Sequence, residues 1–482
     1  MEDLDYSFDD ISDVRAAGYL KRYIARKHIS TPRINNVFRC GSRIIPTGRR
    51  PAVFLVSSED DDNKITDSMY TGLAFCHSAW SCPRCTSRVM AKKGTDIACA
   101  IDALATWYHQ SAMMITFTLP HNFTMSAEDS FKILKKTWKY FDKKGQQQNR
   151  KKYYVLKEKP NDKDKRYCSD ENAKAGDVRV YNLKTYSPFA RFRSELGITH
   201  RVKVYEFTYG ENGWHPHIHA LFWCPDKNWD KVTDYASGLL DEWWEAAKKA
   251  ALEYWNEKRP DSKEENKKFI DEQYSEWRKY PKDGHRSVYI SVDSEGKPLK
   301  QESSRYISGW SANHELTGLE KKTSKRDDRF TPFQLIEKAM ANASTEDEYM
   351  KPFIDYMIAT NSSRRVEFSH HSGLTAIIKR WKQTEKFTEY LKKKAMDKGV
   401  GTWKVVCWFT QEQWSLISYL DVFLDHEIKY ELLKMARAPN AFDEIYKYLQ
   451  LFDIDIMENG EHPLTKSVES GLFQNKLEEI PA

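Results

Sequence analysis

The chain has no run approaching the roughly 18 apolar residues that a membrane-crossing helix needs, so no transmembrane helix is expected. No secretory leader is expected either, because the opening MEDLDYSFDDISD is acidic where a signal peptide is basic and then apolar. A cytoplasmic location with no membrane partner is therefore expected. Excess charge of one sign is small: 76 Lys and Arg against 70 Asp and Glu leave a formal net charge of +6. On 482 residues that surplus neither demands nor excludes a polyanionic partner. Cysteine is sparse. The eight present, in a long cytosolic-looking chain, read as metal ligands and buried thiols rather than as a disulfide framework. No internal repeat is visible. What the chain does have is core material: 40% hydrophobic and 13% aromatic residues, with 15 Trp, argue against wholesale disorder. Charged residues reach 30% and the mean hydropathy is −0.74, so the surface is polar. At about 150 residues per domain, the length implies two or three domains.

Patterning along the chain predicts a small set of elements. A strand is expected at 51–56, a helix over 96–110, a β-rich strand at 112–119 and a helix over 131–141. In the last of these Phe131, Leu134, Trp138 and Phe141 share one face. The polar stretch 142–178 reads as a surface insertion or linker. Residues 201–209 and 217–223 alternate like two strands joined by the GENGW turn. Residues 238–281 read as helical and partly solvated, and 299–317 as helical, with Gly318 a candidate C-cap. Beyond residue 399 the apolar spacing suggests a helical accessory module.

Four cysteines cluster. Cys82-Pro-Arg-Cys85 is a C-x2-C knuckle, and two thiolates on such a turn can face one tetrahedral ion. Cys76 is the natural third ligand and Cys40 the best fourth, giving a structural Zn2+ site. His77 is a weaker substitute, since adjacent side chains rarely point the same way. A redox pair or chance spacing is the competing reading, and no thioredoxin-like βαβ context supports it. Cys99, Cys168, Cys224 and Cys407 are isolated and read as ordinary thiols.

The sharpest pattern is GWHPHIHALF, from Gly213 to Phe222. On a strand, His217 and His219 point to one face while Ile218, Ala220 and Phe222 point to the other. Two imidazoles side by side offer a seat for a divalent cation. Glu206 is the only carboxylate in VKVYEFTYG, and a hairpin through GENGW sets it opposite the histidines. Two His and one carboxylate leave coordination positions open for substrate oxygens and water. A polar strand face with merely hydrogen-bonded histidines is the plainer alternative.

Together with ITFTLPH (115–121), the segments EFTYG and GWHPHIH resemble the HUH endonucleases, and most closely the initiator proteins of plasmid rolling-circle replication. GLAFCHSAW (72–80) with the trailing CPRC, TPFQLI (331–336) and EFSHHSGL (367–374) also resemble that family. The resemblance spans about residues 36–382. It implies an α+β fold: a central antiparallel sheet carrying the metal site, flanked by helices, with a Cys-rich zinc-binding segment and a helical C-terminal region. The expected division is an N-terminal extension (1–35), a zinc segment (36–95) and an HUH nuclease domain (96–320) with insertions near 142–180 and 240–298. A family C-terminal helical region (321–398) and an accessory helical module (399–482) follow.

The resemblance further implies a helix bearing a nucleophilic tyrosine. ESSRYISGW places Tyr306 on such a helix, with Glu302 one turn earlier on the same face. Tyr306 would attack a phosphate of single-stranded or hairpin origin DNA, and Glu302 would activate water in a terminating cleavage. Mg2+ or Mn2+ held by Glu206, His217 and His219 would stabilise the charge that develops. Arg305 stands where a lysine often precedes the family tyrosine, and Trp310 where the family often has a second tyrosine. Lys135, Lys136, Trp138 and Lys139 interleave charge with an aromatic ring and are candidate DNA contacts, as is Arg305. A host helicase and DNA polymerase, and a homodimer, are the partners implied. Transposases or relaxases of the same superfamily are the nearer alternative; a histidine-triad nucleotide hydrolase or a non-catalytic zinc DNA-binding regulator are more distant ones.

Overall fold

The computed structural model describes residues 37, 40–45, 52–59, 65–121, 124–144, 149–155, 167–168, 179–185, 188–236, 238–278, 288–291, 300, 329–341, 346–361, 363–369, 373–389, 402–423 and 427–456. The architecture is α+β, with antiparallel sheets and many helices. At its centre is a six-stranded sheet whose middle member is the histidine strand, Gly213–Pro225. On one side it pairs with Gln110–Thr118, on the other with the glutamate strand, Arg201–Gly210. The hairpin loop between these last two is only Glu211-Asn212, and Gly213 leaves it at φ 78°, a backbone region that glycine enters without a Cβ clash. Val288–Ile290 closes one edge, while Arg329–Phe330 and Val366–Phe368 both pair on the outer side of the glutamate strand.

Strand alternation divides the sheet into two unlike faces. Ile218, Ala220 and Phe222, with Phe117, Tyr205 and Phe207, lie in the main core. Helices Ala127–Lys144, Pro188–Leu196, Leu239–Lys258, Pro332–Ala341 and Glu346–Thr360 supply much of the rest of that core. On the other face Val202, Val204, Leu221 and Trp223 pack under helices Pro83–Tyr108 and Leu374–Trp381. Further along that same face stand the residues of the candidate metal site. Apolar helices thus cover one end of the face, and the other end is polar.

Local chemistry explains several helix starts. Thr331 and Gln334 bond reciprocally, side chain to backbone, to open Pro332–Ala341, and Thr410 with Gln413 opens Gln411–Phe423 in the same manner. Pro83, whose missing N–H costs nothing at a first helical position, begins Pro83–Tyr108 directly after Cys82. That helix is therefore longer than the predicted 96–110, and it runs across the expected division at residue 95.

Three further expectations are modified. Residues 238–281 form two helices, of which Leu239–Lys258 is a core element: Trp243, Ala246, Ala247, Ala250 and Ala251 make a buried stripe at helical spacing, and the charged residues occupy its outer side. The stretch read as a surface insertion or linker carries the strands Asn149–Val155 and Tyr167–Cys168, which form a small antiparallel sheet with Arg179–Thr185 just beyond it. The C-terminal segment is not purely helical. Its strand Thr402–Phe409 pairs with Val53–Glu59, which pairs in turn with Ile65–Thr71. Helices Gln411–Phe423, Ile428–Met435 and Ala441–Gln450 cover this three-stranded sheet, closing a separate core around Val53, Leu55, Phe409, Trp414, Leu432 and Leu449. Segments from the two ends of the chain thus form one unit.

Candidate metal centres

Glu206 and His217 are direct cross-strand partners, and His219 lies two residues along the same face. Their ligand atoms fall within 4.8 Å of one another. Glu206 Oε2 stands 2.8 Å from His219 Nε2 and 3.3 Å from His217 Nε2. Donors about 2.1 Å from one cation and at right angles to each other lie roughly 3.0 Å apart, so the spacing suits three cis ligands. His219 Nδ1 lies 2.9 Å from Thr116 Oγ1, an outer contact that fixes the ring with Nε2 towards Glu206. His217 Nδ1 is buried with no hydrogen-bond partner among the described residues. Nε2, the nitrogen towards Glu206, is therefore the one with a polar contact. Three donors from adjacent strands leave the remaining positions of a six-coordinate ion to other oxygens.

The motif reading missed three neighbours. Thr116 sits on the strand beside the histidines, and its position could have been found from ITFTLPH by counting two residues from Thr118. His121 ends that same motif, and His215 begins the histidine run. Their rings meet edge to face at 4.4 Å between centroids, with His215 Nδ1 3.2 Å from His121 Nε2. Four imidazoles therefore line one face, continuing through His215 and His217 at 5.5 Å and His217 and His219 at 4.7 Å.

The second centre is the four-thiol cluster. Cys40, Cys76, Cys82 and Cys85 converge, with Sγ separations of 3.4 Å (Cys40 to Cys85), 3.6 Å (Cys82 to Cys40) and 3.7 Å (Cys76 to Cys85). Four sulfurs each about 2.3 Å from a tetrahedral zinc lie about 3.8 Å apart, close to this spacing, whereas a disulfide needs about 2.05 Å. Backbone N–H groups of Cys76 and Ser78 point at the sulfurs of Cys40 and Cys76, at 3.4 and 3.5 Å. Hydrogen bonding with Cys40 and Cys85, together with burial, pushes the Cys76 and Cys82 thiols far above the ordinary range. Without a cation these thiols stay protonated; a divalent ion supplies the charge that lets them ionise together. The isolated cysteines differ. Burial is the main cause pushing Cys99 up to about 12 and Cys224 up to about 11.

No protein-family model, curated protein or solved structure matches this chain.

The expected DNA contacts fare unequally. Lys139 is exposed and forms no ion pair among the described residues. Lys135 reaches Ser363 Oγ at 3.1 Å and lies over the Phe131 ring. Lys136 is held by Glu253 and Glu257 at 3.2 and 2.8 Å, which cancels most of its charge. Trp138 is a correction: at 3% exposure its ring packs on Phe117, Phe141 and Trp243, and offers no open face to a base. Lysines flanking it on the helix surface made a core aromatic look like a stacking platform. Tyr306, Glu302 and Arg305 lie outside the described residues. No helix among the described residues is long and apolar enough to cross a membrane.

Proposed function

We propose that the protein is a metal-dependent DNA nicking and joining enzyme with an HUH-type core, acting as an initiator of rolling-circle replication. The observation that carries this reading is Glu206 Oε2 at 2.8 and 3.3 Å from the Nε2 atoms of two histidines on the central strand of an antiparallel sheet. Three ligands, rather than four, suit a site that must also accept the oxygens of a substrate. When bound, Mg2+ or Mn2+ there would neutralise the non-bridging oxygens of a scissile phosphate.

The remaining chemistry belongs to the chain. The oxygen of Tyr306 forms a bond to phosphorus, the bond from phosphorus to the 3′ oxygen breaks, and the proton of the phenol ends on the released 3′-hydroxyl. The 5′ end stays covalently attached, so the phosphodiester energy is retained for rejoining. Phenol has a reference pKa near 10, so its attack needs electrostatic help at neutral pH. In a terminating cleavage Glu302 accepts the proton of a water whose oxygen bonds to phosphorus as the next 3′-hydroxyl leaves. The free 3′-hydroxyl primes a host polymerase, with a host helicase opening the duplex. The four-cysteine cluster is a structural zinc site in this scheme.

The test uses single-stranded oligonucleotides tiling the DNA on which the gene lies, with Mn2+ or Mg2+ present. A covalent adduct that resists boiling in detergent is expected, and Tyr306→Phe is expected to abolish it while DNA binding persists. An adduct that survives that substitution overturns the assignment of the nucleophile.

A further inference from the structure

A second site lies on the opposite face of the central sheet from the metal triad. Arg201, Lys203 and Tyr205 alternate with Glu206, so they point through to the helix-covered side. There, between Ala127–Lys144 and the edge strand Val366–Phe368, is an open cleft of about 1290 Å³. Six cations line it, namely Lys135, Lys136, Lys139, Arg193, Arg201 and Lys203, against two lining carboxylates, Asp142 and Glu367, with Lys136 already held from outside the cleft by Glu253 and Glu257.

The cations are crowded around too few partners. Asp142 alone accepts two short bonds from Arg201, at 2.5 and 2.6 Å, and a longer one from Arg193 at 3.4 Å. Lys203 takes Glu367 at 2.9 Å. Burial and the neighbouring Arg201 charge both push the Arg193 guanidinium below its ordinary range, although Asp142 lies beside it. Lys139 and Lys135 extend this excess along the rim with no carboxylate partner among the described residues. Two further features point to a ligand. His200 lines the cleft at 8% exposure, and its Nδ1 is buried with no hydrogen-bond partner among the described residues. The floor is aromatic, with Lys203 5.2 Å from the Trp138 ring and 5.1 Å from that of Tyr205. Arg201 and Lys203 are thus held rigidly by rings and carboxylates rather than left to wave in solvent.

We propose that this cleft binds the phosphodiester backbone of single-stranded DNA, as a holding site separate from the metal triad. The proposal rests on the reading of the protein as a DNA-nicking enzyme, but its test does not depend on cleavage. An open cleft with cationic walls can hold a backbone, and the buried rings leave base identity unread. Lys203 and Glu206 are three residues apart, so the cleft and the triad lie about 10 Å apart along the strand, on opposite faces. A single strand engaged by both would pass around the sheet edge at Val366–Phe368.

The experiment measures binding of full-length protein to a fluorescent 30-nucleotide oligothymidine, in EDTA, across a salt series. Lys135→Glu with Lys139→Glu is compared with Lys434→Glu and Lys447→Glu, an equal charge change at two exposed lysines of the C-terminal unit. The cleft pair is expected to weaken binding at least about tenfold and to lower the salt slope by about 1.4, as for two lost phosphate contacts. His200→Leu, which removes the unbonded nitrogen without altering charge, is expected to weaken binding about threefold with the slope unchanged. Mn2+ titration at the triad confirms that each variant is folded. Wild-type affinity in the cleft pair, or equal loss in the control pair, overturns the proposal and leaves the nicking reading untouched. Failure to form an adduct, with the cleft result as expected, sinks the nicking reading alone.

Discussion

The two metal-ligand clusters are built on opposite principles. The cysteine cluster gathers four sulfurs from a turn at Cys40, a loop at Cys76 and the start of a helix at Cys82 and Cys85, where the first two segments are tied by a pairing of only two residues, Arg43–Ile44 with Leu73–Ala74. The histidine centre takes its three donors from two adjacent strands already locked by ten residue pairs. In the first case the ion would make the local structure; in the second the sheet makes the site and the ion arrives later. A four-ligand site is also full, whereas a three-ligand site has room for substrate. The difference separates a structural metal from a working one by how many bonds the protein has kept for itself.

The largest test of this contrast is Cys82→Ser. Loss of zinc from purified protein is expected, with a fall in melting midpoint of at least about 10 °C, because the binding energy of a structural zinc is folding energy. Zinc analysis alongside a thermal scan reads both; an unchanged midpoint would erase the distinction. Next, EDTA dialysis that empties the histidine centre is expected to move the midpoint by no more than about 2 °C, because the strands pair without the ion. His219→Ala should weaken Mn2+ binding more than about 100-fold, read by electron paramagnetic resonance. Thr116→Val removes only the contact to His219 Nδ1. A loss of about 10-fold to 100-fold in metal affinity is expected, with the Cys cluster still loaded. The smallest effect concerns the hydrogen-bonded ion pair of Asp142 and Arg201. Burial would raise the Asp142 carboxyl, but hydrogen bonds and charge from Arg201 outweigh it and hold it below 3.8. A group with a depressed folded pKa contributes stability above its unfolded value and loses it as pH falls through the folded one. Asp142→Asn should therefore cost about 1 kcal/mol at pH 7, and the two proteins should converge below about pH 4. Denaturant melts across that range check it.

Legibility followed the distance over which a pattern acts. Glu206, His217 and His219 could be read together because period-two alternation fixes a face and a two-residue hairpin fixes register. The four cysteines could be read because their residue type permits few other roles. Trp138 could not be placed from its own helix, where cations flank it in sequence while its ring turns inward. The pairing of Thr402–Phe409 with Val53–Glu59 was hidden for a different reason. Both segments look like strands or helices locally, and nothing in either names a partner 402 − 59 = 343 residues away. Asp142 and Arg201 likewise meet only through the fold, so the sequence showed the lysine wall of the second cleft, Lys135, Lys136 and Lys139, but not the residues facing it.

That distant pairing has a consequence in time. Val53–Glu59 can pair with Ile65–Thr71 as soon as both leave the ribosome, but a two-stranded hairpin is marginal in water. Its third strand follows 343 residues later, which at 5–20 residues per second is roughly 20 to 70 s of synthesis. Throughout that interval Val53, Phe54, Leu55 and Val56, all at most 1% exposed in the finished protein, face solvent beside an unpaired edge. The nascent chain is thus most vulnerable to aggregation not at its slowest-folding end but at its first-made one, and a segment that binds chaperones during translation should map there.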